Sequence, residues 1–151
     1  MISAAERQRR DRAIALLRAF AAGKLTNDEF EERYDENLDP RPVREWEDRA
    51  PWAVKTVVWS CYDDMSTHRL EGSRALSPGE RDLFARMILF LQGDRAYEWA
   101  RYDFMFFHAT WLDRLTFGWW GRRQERNFRS VDWAAWPFRR VEDFEAARRG
   151  E

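Results

Sequence analysis

The side chains best equipped for chemistry gather between positions 61 and 71: Cys61, Asp63, Asp64, His68 and Glu71. If one helix runs through them, Cys61, Asp64 and His68 fall at i, i+3 and i+7 and share a face. Sulfur, oxygen and nitrogen donors on one face are a set that a transition metal accepts. A simpler arrangement pairs Asp64 with His68 near a helix end, where an imidazolium also suits the dipole, and leaves Cys61 as a core thiol. With 1 Cys and 2 His in the chain, a site built from several thiolates is excluded. The expectation is a protein with no bound metal and no other cofactor.

His108 stands apart, among Phe104, Phe107, Trp111 and Leu112. A desolvated imidazole can exchange a proton near neutral pH, but no nucleophile accompanies it in sequence. A core histidine bonded to a backbone or carboxylate group fits the same surroundings. No catalytic residue is expected, and Asp64, His68 and His108 are the candidates if acid–base work is done. Glu98 and Asp103 could pair as carboxylates, but nothing fixes their separation. There is no P-loop, no dinucleotide glycine fingerprint, no Gly-x-Ser-x-Gly elbow and no His-Glu-x-x-His, which disfavours the common nucleotide-binding and hydrolase plans.

A different chemistry is suggested further on. The stretch from Trp119 to Arg129 mixes rings with guanidinium groups, and the charge from Arg114 to Arg129 is five arginines against Glu125. Arg122, Arg126 and Arg129 align at i, i+4 and i+7 on a helix, beside Trp119, Trp120 and Phe128. Tryptophan and arginine dominate the energetics of protein interfaces, which makes these six residues the candidate binding surface. Stacking with phosphate contact would hold single-stranded nucleic acid, and an aromatic, basic segment can also lie on a membrane surface. The plainer reading, weighed ahead of all three, has the tryptophans fill a core while the arginines snorkel over it.

These groups need elements to hold them. The chain has 151 residues, 44% hydrophobic and 35% charged, with 9 Trp, 11 Phe and 4 Tyr. A single domain of this size buries roughly two thirds of its unfolded surface, and so many rings exclude general disorder. Ser3 with Glu6, Thr26 with Glu29, and Ser77-Pro78-Gly79-Glu80 are helix-start signals. Ile14, Leu17, Phe20 and Ala21 keep helical spacing up to Gly23, and Phe30, Tyr34 and Leu38 continue on one face of a second helix. Together they predict a helical hairpin. Pro40 and Pro42 interrupt the pattern, and a short helix around Val43 to Arg49 follows.

Pro51 then opens a longer helix whose apolar positions, Val54, Val57, Val58, Cys61, Tyr62 and Met65, hold a 3.6-residue period as far as Met65. Thr67 to Ala75 reads as a loop. Leu83, Phe84, Met87, Ile88 and Leu91 form the stripe of the next helix, closed by Gly93. Further helices are expected over Tyr102 to Phe117 and Val141 to Arg148, with irregular chain from Ser130 to Phe138. The predicted fold is one all-α domain, residues 1–151, of five to seven helices, with an irregular aromatic-rich C-terminal third.

Net charge is −1, so general attraction to nucleic acid is not expected. The distribution is less even. Arg7 to Lys24 carries six basic residues against Asp11, whereas Thr26 to Asp48 carries ten acidic residues against three arginines. Attraction along the hairpin is one reading of this contrast, and a docking surface is the other. The opening MISAAERQRRDR has neither an apolar core nor a small-residue cleavage site, which predicts no secretory signal and a cytoplasmic protein. The most apolar window, Phe104 to Trp120, is too short and polar for a membrane span.

The run Leu16-Leu17-Arg18-Ala19-Phe20-Ala21-Ala22-Gly23-Lys24-Leu25-Thr26-Asn27-Asp28-Glu29-Phe30-Glu31-Glu32-Arg33 resembles the short helical hairpin of bacterial SHOCT-type domains, over about residues 12–37. That resemblance implies oligomerisation or contacts between proteins, and no catalytic residues. The remainder, including His68-Arg69-Leu70 and Tyr97-Glu98-Trp99, is similar to uncharacterised bacterial proteins and implies no mechanism. The sequence therefore leans away from an enzyme. It points to a cytoplasmic bacterial protein, possible homo-oligomer included, that binds a protein partner as an inhibitor, immunity or adaptor protein does. A small metal- or histidine-dependent enzyme is the alternative. A binder of nucleic acid or membrane surface through residues 114–129 is the third reading.

Overall fold

Three of the helices start at the predicted capping boxes. In the computed structural model, which describes residues 2–38, 48–98 and 134–150, α1 spans Ala4–Ala21, α2 Asn27–Asn37, α3 Ala50–Trp59, α4 Pro78–Gln92 and α5 Val141–Arg149. At α1, α2 and α4 the Ser or Thr side chain accepts the N3 amide, and the N3 glutamate accepts the cap amide in return. Each box satisfies two donors that the helix geometry leaves free. The fold is all-α. Among the described residues there is no strand, only one antiparallel bridge between Thr26 and Arg69.

Helix α1 ends as Gly23 requires. Its φ of 67° is the left-handed conformation, and Lys24 N–H returns to Ala19 O while Gly23 N–H returns to Phe20 O. This double return closes the helix and turns the chain into α2. A side chain at Gly23 would also collide with Glu71, whose Oε1 lies 2.6 Å from the position of an added Cβ.

Helix α1 packs against α2, α3 and α4, and α5 rests on α4. The core follows the predicted stripes: Leu17, Phe20, Phe30, Tyr34, Val54, Val58, Met87 and Leu91 have no exposed surface. Phe20 and Phe30 stack at 4.5 Å across the hairpin, an arrangement that adds to the burial of both rings. Tyr34 spends its hydroxyl on Pro51 O at 2.9 Å, tying α2 to the first turn of α3. Phe90, Phe138 and Phe144 meet edge-on and tilted, which carries the core to the C-terminal helix.

A buried ion pair crosses this core. Arg10 is fully buried and grips Asp48 with Nε at 2.5 Å and Nη2 at 2.8 Å. It also donates to the carbonyls of Gly93 and Arg95 and lies over the Phe90 ring. One turn earlier, Arg7 donates to Leu91 O and Gln92 O. The two guanidinium groups thus cap the negative end of α4.

One expectation is corrected. The helix predicted to run from Pro51 as far as Met65 stops at Trp59, because Ser60 and Cys61 turn back onto the carbonyls of Val57 and Val58 and tighten the last turn. The apolar period persisted in sequence after the helix had ended, and Met65 lies in solvent. The predicted loop from Thr67 to Ala75 contains a short 3-10 turn at Gly72–Arg74. The suggested helix at Val43 to Arg49 lies almost wholly outside the described residues, as does the one at Tyr102 to Phe117.

Candidate functional site

The end of α3 and the start of α2 build one surface between them. After Trp59 the chain leaves helical geometry, and from Tyr62 onward it finds partners on α2. Asn27, 1% exposed, spends its whole side chain here. Its Nδ2 donates to the carbonyls of Asp63 (3.3 Å) and Ser66 (3.2 Å), and its Oδ1 accepts the His68 amide (2.8 Å). Its own backbone N–H donates to His68 O at 2.9 Å. Thr67 bonds to Asp28, and Arg69 donates to Gly23 O at 3.0 Å.

Tyr62 roots this loop in the core. Its ring meets the edge of Phe20 at 5.3 Å and its hydroxyl donates to Glu31 at 2.6 Å. Burial pushes the phenol well above its usual range, and the Glu31 bond with the charges of Glu31, Asp64 and Asp35 pushes it in the same direction. The phenol therefore stays protonated and serves as a donor to Glu31. At the start of α2, hydrogen bonds from Thr26 hold the Glu29 carboxyl below its usual range.

The predicted chemical cluster is not assembled as a site. Cys61 and His68 are half-buried, while Asp63, Asp64 and Glu71 are exposed. With the helix ended, Cys61, Asp64 and His68 have no common face. His68 places Nδ1 2.7 Å from Ser66 O, which requires the ring proton on that nitrogen and makes it a loop brace. Burial also pushes the Cys61 thiol up, with the Glu80 charge adding to it, the opposite of a reactive thiolate. Among the described residues no group of three His, Cys, Asp or Glu side chains could hold a metal ion. Glu98 pairs with Arg139 at 2.6 Å.

His108, Asp103, Trp119, Trp120, Arg122, Arg126, Phe128 and Arg129 lie outside the described residues. The sequence reading missed Asn27, Arg10 and Asp48 altogether. A signal for two of them existed: Asn27 and Arg10 each sit on the buried stripe of their helix, one turn ahead of its first large apolar residue.

The charge contrast meets directly at one point, where Arg10 of the basic stretch pairs with Asp48 of the acidic one. Among the described residues the ion pairs of α2 run to Lys55 of α3 and to Arg69 of the loop, and none joins α2 to α1. No described helix is long and apolar enough to cross a membrane. Comparisons with protein families, curated proteins and solved structures find no match.

Proposed function

We propose that this chain is a non-catalytic cytoplasmic protein that binds another protein, in the manner of an inhibitor, immunity or adaptor protein, and that the partner offers a basic surface. The observation that carries this reading is the outer face of α2. The helix holds six acidic residues against Arg33, and Asp28, Glu32, Asp35 and Glu36 are exposed. Two of the five arginines of α1, Arg7 and Arg10, are turned onto α4 and Asp48, while Arg12 and Arg18 stay exposed. Like charges on one exposed helix cost stability through repulsion and raise the association rate of a cationic partner. A SHOCT-type reading of residues 12–37, with the protein contacts it implies, belongs to the same proposal.

The test is affinity purification from the native cells, followed by kinetics with the purified partner. The double change Glu32→Lys and Glu36→Lys should slow association by about tenfold and flatten its dependence on salt, while the melting temperature stays near wild type. Association unchanged by the double reversal would overturn the basic-partner reading.

A further inference from the structure

Met65 is 88% exposed, against 47% for Trp52 and 40% for Val141, the other large apolar side chains standing in solvent among the described residues. A lone surface methionine is ordinary. This one is bracketed. Asn27 holds the carbonyls of Asp63 and Ser66, one on each side of it, and the Met65 amide donates to Asp63 Oδ1 at 2.9 Å. The backbone is thus fixed by a buried side chain of another helix, while the side chain it carries has almost no contact with its own protein.

We propose that Met65 is the anchor of the docking surface: it enters an apolar pocket on a partner protein, and arginine or lysine rims that pocket. The inference rests on the binding reading above and names the contact through which it works. Three physical arguments support it. A backbone already fixed before binding loses little further freedom when the complex forms. An unbranched, polarisable side chain adapts to irregular apolar pockets. The flanks select the partner: Asp63 and Asp64 are exposed beside Met65 and Asp28 bonds the same loop, three carboxylates against the guanidinium of Arg74, which donates to Ser66. Carboxylates around an apolar knob favour a cationic rim and repel an acidic one. A second copy of this loop is disfavoured by the same logic, since a two-fold contact would set the aspartates against their own counterparts.

The experiment uses the full chain in its native cells, with a photo-reactive amino acid at position 65, at position 32 on α2, or at position 52 on α3. The captured protein is then purified and titrated against wild type, Met65→Ala and the pair Asp63→Asn with Asp64→Asn. The expected result is cross-linking to one protein from position 65 and not from 52. Met65→Ala should then weaken binding about tenfold or more through faster dissociation, without a change in melting temperature. The asparagine pair should slow association and reduce its salt dependence. Cross-linking from position 32 without 65, or a loss below about tenfold in Met65→Ala, overturns the anchor and leaves the binding reading standing. A cross-link from 65 to another copy of the chain replaces the proposed partner and overturns the proposal. No cross-link from 65 or 32 removes both readings.

Discussion

Arg10 and Asn27 are two buried polar residues of the described structure, and they do opposite things. Each lies on the apolar stripe of its helix and each is saturated with hydrogen bonds. Arg10 looks inward: it joins α1 to Asp48 and to the chain just after α4. Asn27 looks outward, fixing residues 63–68 against α2. One device, a polar group placed on a hydrophobic stripe, therefore builds the core in one place and presents a loop in another.

The difference in charge sets the difference in cost. A buried guanidinium must have its carboxylate, because either ion left alone in the core keeps its full desolvation penalty. A buried amide is neutral, and its loss frees a few backbone groups that lie close to water. Damage at Arg10 should spread through the whole bundle, whereas damage at Asn27 should stay in the loop.

The largest expected effect tests the first half of that contrast. Arg10→Ala leaves Asp48 buried and unpaired and should cost about 3–5 kcal/mol in urea unfolding. Asp48→Ala should cost a similar amount. Replacing both together with Arg10→Met and Asp48→Leu should cost less than either single change, since apolar residues restore packing without an uncompensated ion. A double variant as damaged as the sum of the two singles would show that the carbonyl caps on α4, not the ion pair, carry the energy.

Asn27→Ala comes next. It should cost about 1–3 kcal/mol, the range for buried groups stripped of partners. Amide exchange should accelerate at residues 63–68 and remain slow in α1 and α4. Fast exchange throughout the bundle would mean that the loop and the core unfold together.

How much of this was legible follows from what each signal measures. The capping boxes were readable because Ser3, Thr26 and Ser77 satisfy backbone donors within four residues of sequence, so no distant partner is needed. The stripes through Leu17, Phe30 and Met87 were readable because periodicity reports burial directly. The end of α3 was not. Val57, Val58, Cys61, Tyr62 and Met65 keep the period, but Asn27 and Glu31 of α2 capture the loop that follows Trp59, and that capture is tertiary. The shared face weighed for Cys61, Asp64 and His68 depended on that same helix continuing past Trp59. Arg10 with Asp48 was hidden by a separation of 38 residues.

A smaller effect tests the turn from α1 into α2, against which the loop's Arg69 and Glu71 lie. Gly23→Ala places a Cβ at a positive φ and against Glu71, and should cost about 1–2 kcal/mol from the left-handed backbone alone. Glu71→Ala removes the collision but not the strain. Combined with Gly23→Ala it should recover only part of the loss, and full recovery would locate the whole cost in the contact with Glu71.

Cys61 gives the smallest signal and the most direct reading of the comparison, because it stands where α3 hands over to the loop. Its thiol donates weakly to Val57 O, and burial, followed by the Glu80 charge, raises its pKa. A raised pKa leaves less thiolate at neutral pH, so labelling by a thiol reagent should be slower than for free cysteine and should quicken as the pH rises. Arg10→Ala should accelerate labelling strongly, because the global unfolding that exposes the site becomes more frequent. Asn27→Ala should change it only a few-fold, since the Cys61 amide still turns back onto Val58 O when the loop beyond it loosens. Equal acceleration in the two variants would mean that the loop is part of the core's cooperative unit. The rigidity around Met65 would then be borrowed from the bundle rather than supplied locally by Asn27.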